Sequence, residues 1–139
     1  MKQVWPLFVV AVLLCGCHGG TGTRPPMTAQ FCNVVGHPSD FEGRSVAFHA
    51  QIVSNGMDRS ALIDPACPGR IAAFDVTGAR EAFEDARKII MGIGRPGTID
   101  KIVEADFVGV PRQGKVGPTI YLSDVQHVSY RMTGGSTTR

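Results

Sequence analysis

The sequence predicts a mainly β domain with one or two helices. Its five strands should close into a small barrel, with a helix between the third and fourth. Three observations carry this expectation. Apolar residues fall at every second position along several short stretches; residues 77–92 change to a period near 3.6; and clusters of Gly, Pro, Asn and Asp punctuate the chain between them.

Each element follows in order. A short helical turn over Ala29–Val35 would carry Phe31, Val34 and Val35 inward and stop at Gly36 and Pro38. In "EGRSVAFHAQIVSNG" Val46, Phe48, Ala50 and Ile52 face one way and Ala47, His49 and Gln51 the other, which is a half-buried first strand. "ALIDPAC" reads as a shorter second strand closed by Pro65. "RIAAFDV" reads as the third, with Ile71 and Ala73 alternating against Ala72 and Phe74. In "TGAREAFEDARKIIMG" Ala79, Ala82, Phe83, Ala86, Ile89 and Ile90 recur at helical spacing opposite a charged face, with Thr77 as N-cap and Gly92 as the C′ residue. The fourth strand alternates through Ile99, Lys101, Val103, Ala105 and Phe107. The fifth carries Ile120 and Leu122, then shifts phase to Val125 and Val128, which predicts a bulge near Ser123-Asp124. "RQGKVGP" joins them as a hairpin-type loop, and residues 132–139 are expected to be an unstructured tail.

Three strands, a helix and two strands is the arrangement of the OB-fold, a five-stranded Greek-key barrel. The domain is expected over residues 29–131.

What precedes it is not domain. One charge, Lys2, then an apolar run over Val4–Leu14 and small residues make the three regions of a secretory signal, and the run is too short to span a bilayer. Its end, Leu14-Cys15-Gly16-Cys17, resembles the lipobox of bacterial lipoproteins. That resemblance implies cleavage after residue 16 and a diacylglycerol on Cys17, with palmitate among its acyl chains. Cys15 would leave with the signal peptide. Residues 17–28, rich in Gly, Pro and Thr, then form the lipidated N-terminus and a flexible tether. In Gram-negative lipoproteins an Asp after the lipidated Cys favours the inner membrane. Here His18, Gly19 and Gly20 follow, so the expected place is the outer membrane, facing the periplasm.

Removing residues 1–16 leaves 123 residues, enough for one core and not two. The mature charge is +1, and Arg44, Arg59, Arg70, Arg95, Arg112 and Arg131 are scattered singly. Such a distribution argues against a nucleic-acid groove. Cys32 and Cys67 remain; in an exported protein an even pair reads most simply as a disulfide, and no Cys-x-x-Cys suggests redox catalysis. Cys15, Cys17 and His18 lack a second Cys/His pair to complete a metal site, and neither metal nor cofactor is expected.

"FCNVVGHPSDFEGRSVAFHAQI" followed by "LIDPACPG" resembles a group of small bacterial envelope proteins of OB-like fold. The pattern is Cys32, Pro38, Phe41, Glu42 with Gly43, and Leu62 to Cys67. The resemblance implies fold and cysteine pairing. It departs at Gly114–Pro118, where "GKVGP" stands in place of a Gly-Phe-Gly-His-like segment.

Candidate chemistry is sparse. Asp64 and Asp75 at strand ends read as turn-makers, and the serines, aspartates and histidines that could spell a hydrolase triad have no Gly-x-Ser-x-Gly elbow. "GIGRPG" follows a helix instead of preceding one, so it is no phosphate loop. His49, Phe74, Tyr121 and His127 take outward positions and form the candidate binding face. The expected function is a non-enzymatic envelope lipoprotein, a binding or interaction module held to the bilayer through acylated Cys17, its partner another envelope protein. The alternative is an OB-fold binder of a small ligand, glycan or nucleic acid.

Overall fold

Val46, Phe48, Ala50 and Ile52 are all buried, as are Val103, Ala105 and Phe107 on a second strand paired with theirs. The alternation read from the sequence is therefore the alternation of the core. The computed structural model describes residues 24–133. The signal peptide, Cys17, residues 18–23 of the tether and residues 134–139 of the tail lie outside the described residues. No helix among the described residues is long and apolar enough to cross a membrane.

Six strands form one sheet: β1 Met27–Thr28, β2 Val46–Ser54, β3 Ser60–Ile63, β4 Ile71–Asp75, β5 Lys101–Gln113 and β6 Pro118–Met132. Two α-helices accompany it, α1 Phe31–Gly36 and α2 Glu84–Gly92, with 3-10 turns at Pro38–Phe41 and Thr77–Ala79. The strand order is β1-β2-β3-β4-β6-β5, and β2 also pairs with β5 over eight residues. β1 runs parallel to β2, and β4 runs parallel to β6; every other pairing is antiparallel.

The count is six, against five expected. β1 lies within the stretch read as tether, and two residues between Pro26 and Ala29 carry no period to detect. At the other end β6 continues through Arg131 and Met132, paired with Ile102 and Lys101, so its last residue lies within the expected tail.

The helix between β4 and β5 is present but shorter than predicted. Thr77 makes no capping bond. Its backbone N–H is instead taken by Asp75 Oδ1 at 2.7 Å, and a 3-10 turn intervenes before α2 opens at Glu84. Ala79 in that turn and Phe83 at the N-cap of α2 are buried beside Ala86 and Ile90 of the helix. A 3-10 turn and an α-helix both place i and i+3 residues on nearly the same side, so the apolar pattern runs through both and hides the junction. Gly92 is the last helical residue and not the one beyond it. The left-handed residue is Gly94, at φ +80°.

The bulge expected near Ser123 is there. Val108 pairs with Asp124 and Gly109 with Leu122, leaving Ser123 as the extra residue. At this point Gly109 is required, because a Cβ on it would stand 2.8 Å from both Ile120 Cγ2 and the Tyr121 carbonyl oxygen.

Phe48 connects Phe31 of α1 to Phe107 of β5, each ring pair 5.8 Å apart. Cys32 and Cys67 form a disulfide, their Cα atoms 5.5 Å apart, which ties α1 to the connection between β3 and β4. On the chain-entropy account a closed loop of this size contributes roughly 3–4 kcal/mol.

Lys101 occupies an inward position of β5 and is 2% exposed, whereas Ile99, expected in the same phase, is exposed. The Lys101 ammonium lies 3.3 Å from Asp100 Oδ1, a single long contact for a buried charge.

Candidate functional site

Where β2, β5 and β6 lie side by side, residues on the outer face meet across strands. His49 is opposite Asp106, and Asp106 is opposite Gln126. Next to this row the β5–β6 register slips a second time. Glu104 faces Ser129 and Asp106 faces Gln126, so one residue of β5 stands against both His127 and Val128. The slip puts His127 at φ +53°, the one non-glycine residue in the left-handed region among those described. Histidine tolerates that region better than most residues, and the bulge re-aims its side chain toward Asp106.

Asp106 accepts from both imidazoles. His49 Nδ1 lies 2.9 Å from Oδ1, and His127 Nδ1 lies 2.8 Å from Oδ2. An ionised carboxylate only accepts, so each ring donates its Nδ1–H, and in the neutral imidazole Nε2 then keeps the lone pair. The hydrogen bond from His49, then that from His127, holds the Asp106 carboxyl below the usual carboxylate range. All three side chains are more than half exposed. One step along the strands Gln51 Nε2 donates to Glu104 Oε1 at 2.7 Å, and Arg131 Nε lies 3.5 Å from the same oxygen.

This row floors a groove of about 700 Å³. Ala47, His49, Asp106, Val108 and Gln126 form its base. The segment from Pro26 to Cys32 forms one wall, and Asp64 and Ala66, beside the disulfide, close its end. That volume lies within the range of small-molecule sites, and a mostly apolar lining with a few convergent polar groups is their usual makeup.

The four residues expected on one binding face do not share it. His49 and His127 meet on Asp106. Phe74 turns inward, half-buried, and packs on Phe83 at a centroid distance of 5.7 Å; the phase of β4 places Ala72 and Phe74 on the core side and exposes Ile71 and Ala73. Tyr121 sits on β6 near the β5–β6 hairpin, under the Arg112 guanidinium at 4.9 Å. A second hollow of about 500 Å³ lies over β3, β4 and that hairpin. It is lined by Ile71, Val116 and Lys115 among others, with no aromatic side chain.

Other candidates resolve into structure. Asp64 Oδ1 takes the Ala66 N–H at 2.8 Å, as Asp75 takes that of Thr77, so both close turns. The Gly-rich connection after α2 wraps a carboxylate of its own: Asp100 accepts the Arg95 N–H at 2.6 Å, and a Cβ on Gly94 would collide with it. That backbone bond, foremost, lowers the Asp100 carboxyl from its ordinary value. Among the described residues no serine hydroxyl is bonded to a histidine; Ser123 Oγ donates to the Val108 carbonyl. The one set of three ligating side chains converging among the described residues is Cys32, Asp64 and Cys67. Its two sulfurs are bonded to each other and are not thiolates.

The residue that sequence reasoning missed is Asp106. Its signal was its outward phase on β5, shared with Glu104, but its pairing with His49 depends on a register that only the folded sheet supplies. Cys17, the expected lipidation site, lies outside the described residues. Comparison with protein-family models, curated proteins and solved structures finds no match to this chain.

Proposed function

We propose that the chain is a bacterial envelope lipoprotein whose OB-fold-like barrel is a non-enzymatic binding module, taking its ligand or partner in the groove over β2, β5 and β6. The groove, with His49 and Asp106 on its floor and His127 bonded to that Asp106 from beside it, is the observation that carries this reading. The barrel reading draws on the cyclic run of pairings β2–β3–β4–β6–β5 and back to β2, with β1 as an added strand. Binding is favoured over catalysis because the two imidazoles are engaged by Asp106, with no hydroxyl or thiol hydrogen-bonded to either ring among the described residues.

The anchor belongs to the same proposal. Acylation of Cys17 holds the domain at the bilayer, in the outer membrane and facing the periplasm, since His18 follows and no acidic residue precedes Asp40. A chain of the length between Cys17 and the first strand reaches roughly 17–20 Å as a coil. Pro26 lines the groove, so the groove would open close to where the chain leaves for the membrane. Metabolic labelling with an alkyne palmitate tests the anchor. Wild type and Cys15→Ala should take the label, whereas Cys17→Ser should not and should leave the membrane fraction. A Cys17→Ser form that still sediments with membranes after a salt wash overturns it. Sucrose-gradient separation then decides between the two membranes.

A further inference from the structure

The groove carries a sign of charge. Its two formally charged lining residues at neutral pH, Asp64 and Asp106, are both negative, and no Lys or Arg lines it. The charges around it are accounted for element by element. On β5 and β6, Glu104 is paired with Arg131. On β6, Asp124 is turned onto the Val125 N–H and Gln126 Nε2. The wall from Pro26 to Cys32 holds no acid or base other than the disulfide cysteine. Beyond it Arg44 is engaged with Met27 Sδ at 3.1 Å, outside the lining. What remains is an apolar trough with an uncompensated carboxylate at its floor and another at its end.

We propose that this groove binds a small organic cation, an apolar body with a protonated amine set against Asp106, and that acidification releases it. This rests on the binding-module reading and adds a ligand class and a control to it. Low-dielectric walls around like charges concentrate the opposite charge, and the apolar lining accepts the rest of the molecule. The control lies in the two imidazoles. Histidine is the side chain that changes charge between about pH 8 and 5. With both rings neutral the His49–Asp106–His127 group carries −1; with both protonated at Nε2 it carries +1. The Nδ1–H bonds to Asp106 persist through the change, so the group reverses sign in place, at the floor through His49 and beside it through His127.

Three matched probes test this on the full chain in neutral maltoside micelles, followed by amide chemical shifts: 2-phenylethylamine, 2-phenylethanol and phenylacetate. At about pH 7.5 the amine should bind about fivefold more tightly than the alcohol, the effect of one nearby opposite charge at a surface. Phenylacetate should bind most weakly. Shifts should centre on Thr28, His49, Asp106 and Gln126. At about pH 5 the preference for the amine should vanish. His49→Gln with His127→Gln should keep the preference and lose its pH dependence, and Asp106→Asn should lose the preference at both pH values. Phenylacetate binding as tightly as the amine at the higher pH, or a wild type indifferent to pH, overturns the inference. If all three probes enter the groove alike, the binding site stands and the charge inference falls. If none does, both fall.

Discussion

His127 separates two costs that usually come mixed: a strained backbone and a lost side-chain contact. Its φ of +53° is imposed by the bulge, while its ring serves Asp106. His127→Asn keeps a residue that tolerates the left-handed region and gives up the reach to Asp106, so it should cost well under about 1 kcal/mol. His127→Val places a β-branched side chain there and should cost roughly 1–2 kcal/mol more; urea unfolding midpoints of the two variants check the difference. Asp106 itself has a pH signature. Its folded-state pKa is lowered, so the stability it contributes is present above the unfolded carboxylate value, about 3.9, and is lost as the pH falls through the lower folded value. Asp75, Glu84 and Asp100 shift the same way, through bonds to Thr77, Arg87 and the Arg95 N–H respectively. Unfolding midpoints should therefore fall steeply below about pH 4, and Asp106→Asn should make that fall shallower. An equally steep acid limb in the variant would show that the paired imidazoles do not stabilise the charged carboxylate.

Within β5, Lys101 is the place where element and residue disagree: the period-two pattern of the strand sends a lysine inward. Its partner Asp100 is also held by the Arg95 N–H. Lys101→Met keeps the stem's volume and removes the buried charge, so it should change stability by less than about 1 kcal/mol, in either direction. Asp100→Ala removes the partner and leaves the ammonium without its one contact, so it should destabilise more than Lys101→Met; chemical denaturation of both gives the order. Much of the fold was legible in the sequence because β2 and β5 send every second residue into the core and the Ser123 bulge announces itself as a change of phase between Leu122 and Val125. Less legible were elements with no period of their own. β1 has two residues, and the 3-10 turn before α2 imitates the helix's apolar spacing. Of the candidate site, His49 and His127 could be placed on an outer face from their phase. That they share one carboxylate could not, since it depends on the second register slip in β6. Phe74 was misplaced because an aromatic at a strand end looks the same from either side of the sheet.

At the scale of the whole molecule the disulfide and the N-terminal segment decide how the groove is held together. Replacing both Cys32 and Cys67 by Ala should lower stability by roughly 3–4 kcal/mol, visible as a lower denaturant midpoint with the fold retained at low denaturant; non-reducing peptide mapping of the wild type should recover the two as one linked pair. The other wall of the groove is held more lightly. β1 is bound to its neighbour by the Met27 N–H to the Ser45 carbonyl and the Ala29 N–H to the Ala47 carbonyl, at 2.9 and 3.0 Å. β2 and β5 share a ladder of eight residue pairs. Tension applied from the N-terminal side therefore meets the short attachment first. Under a steady pull the segment before Cys32 should peel away at low force, while the disulfide stops the extension at that cysteine and the long ladders stay intact. Because that segment is also a wall of the groove, pulling it away should leave the pocket open on that side. A pull from the N-terminal side should thus weaken whatever the proposed groove holds before it disturbs the rest of the fold.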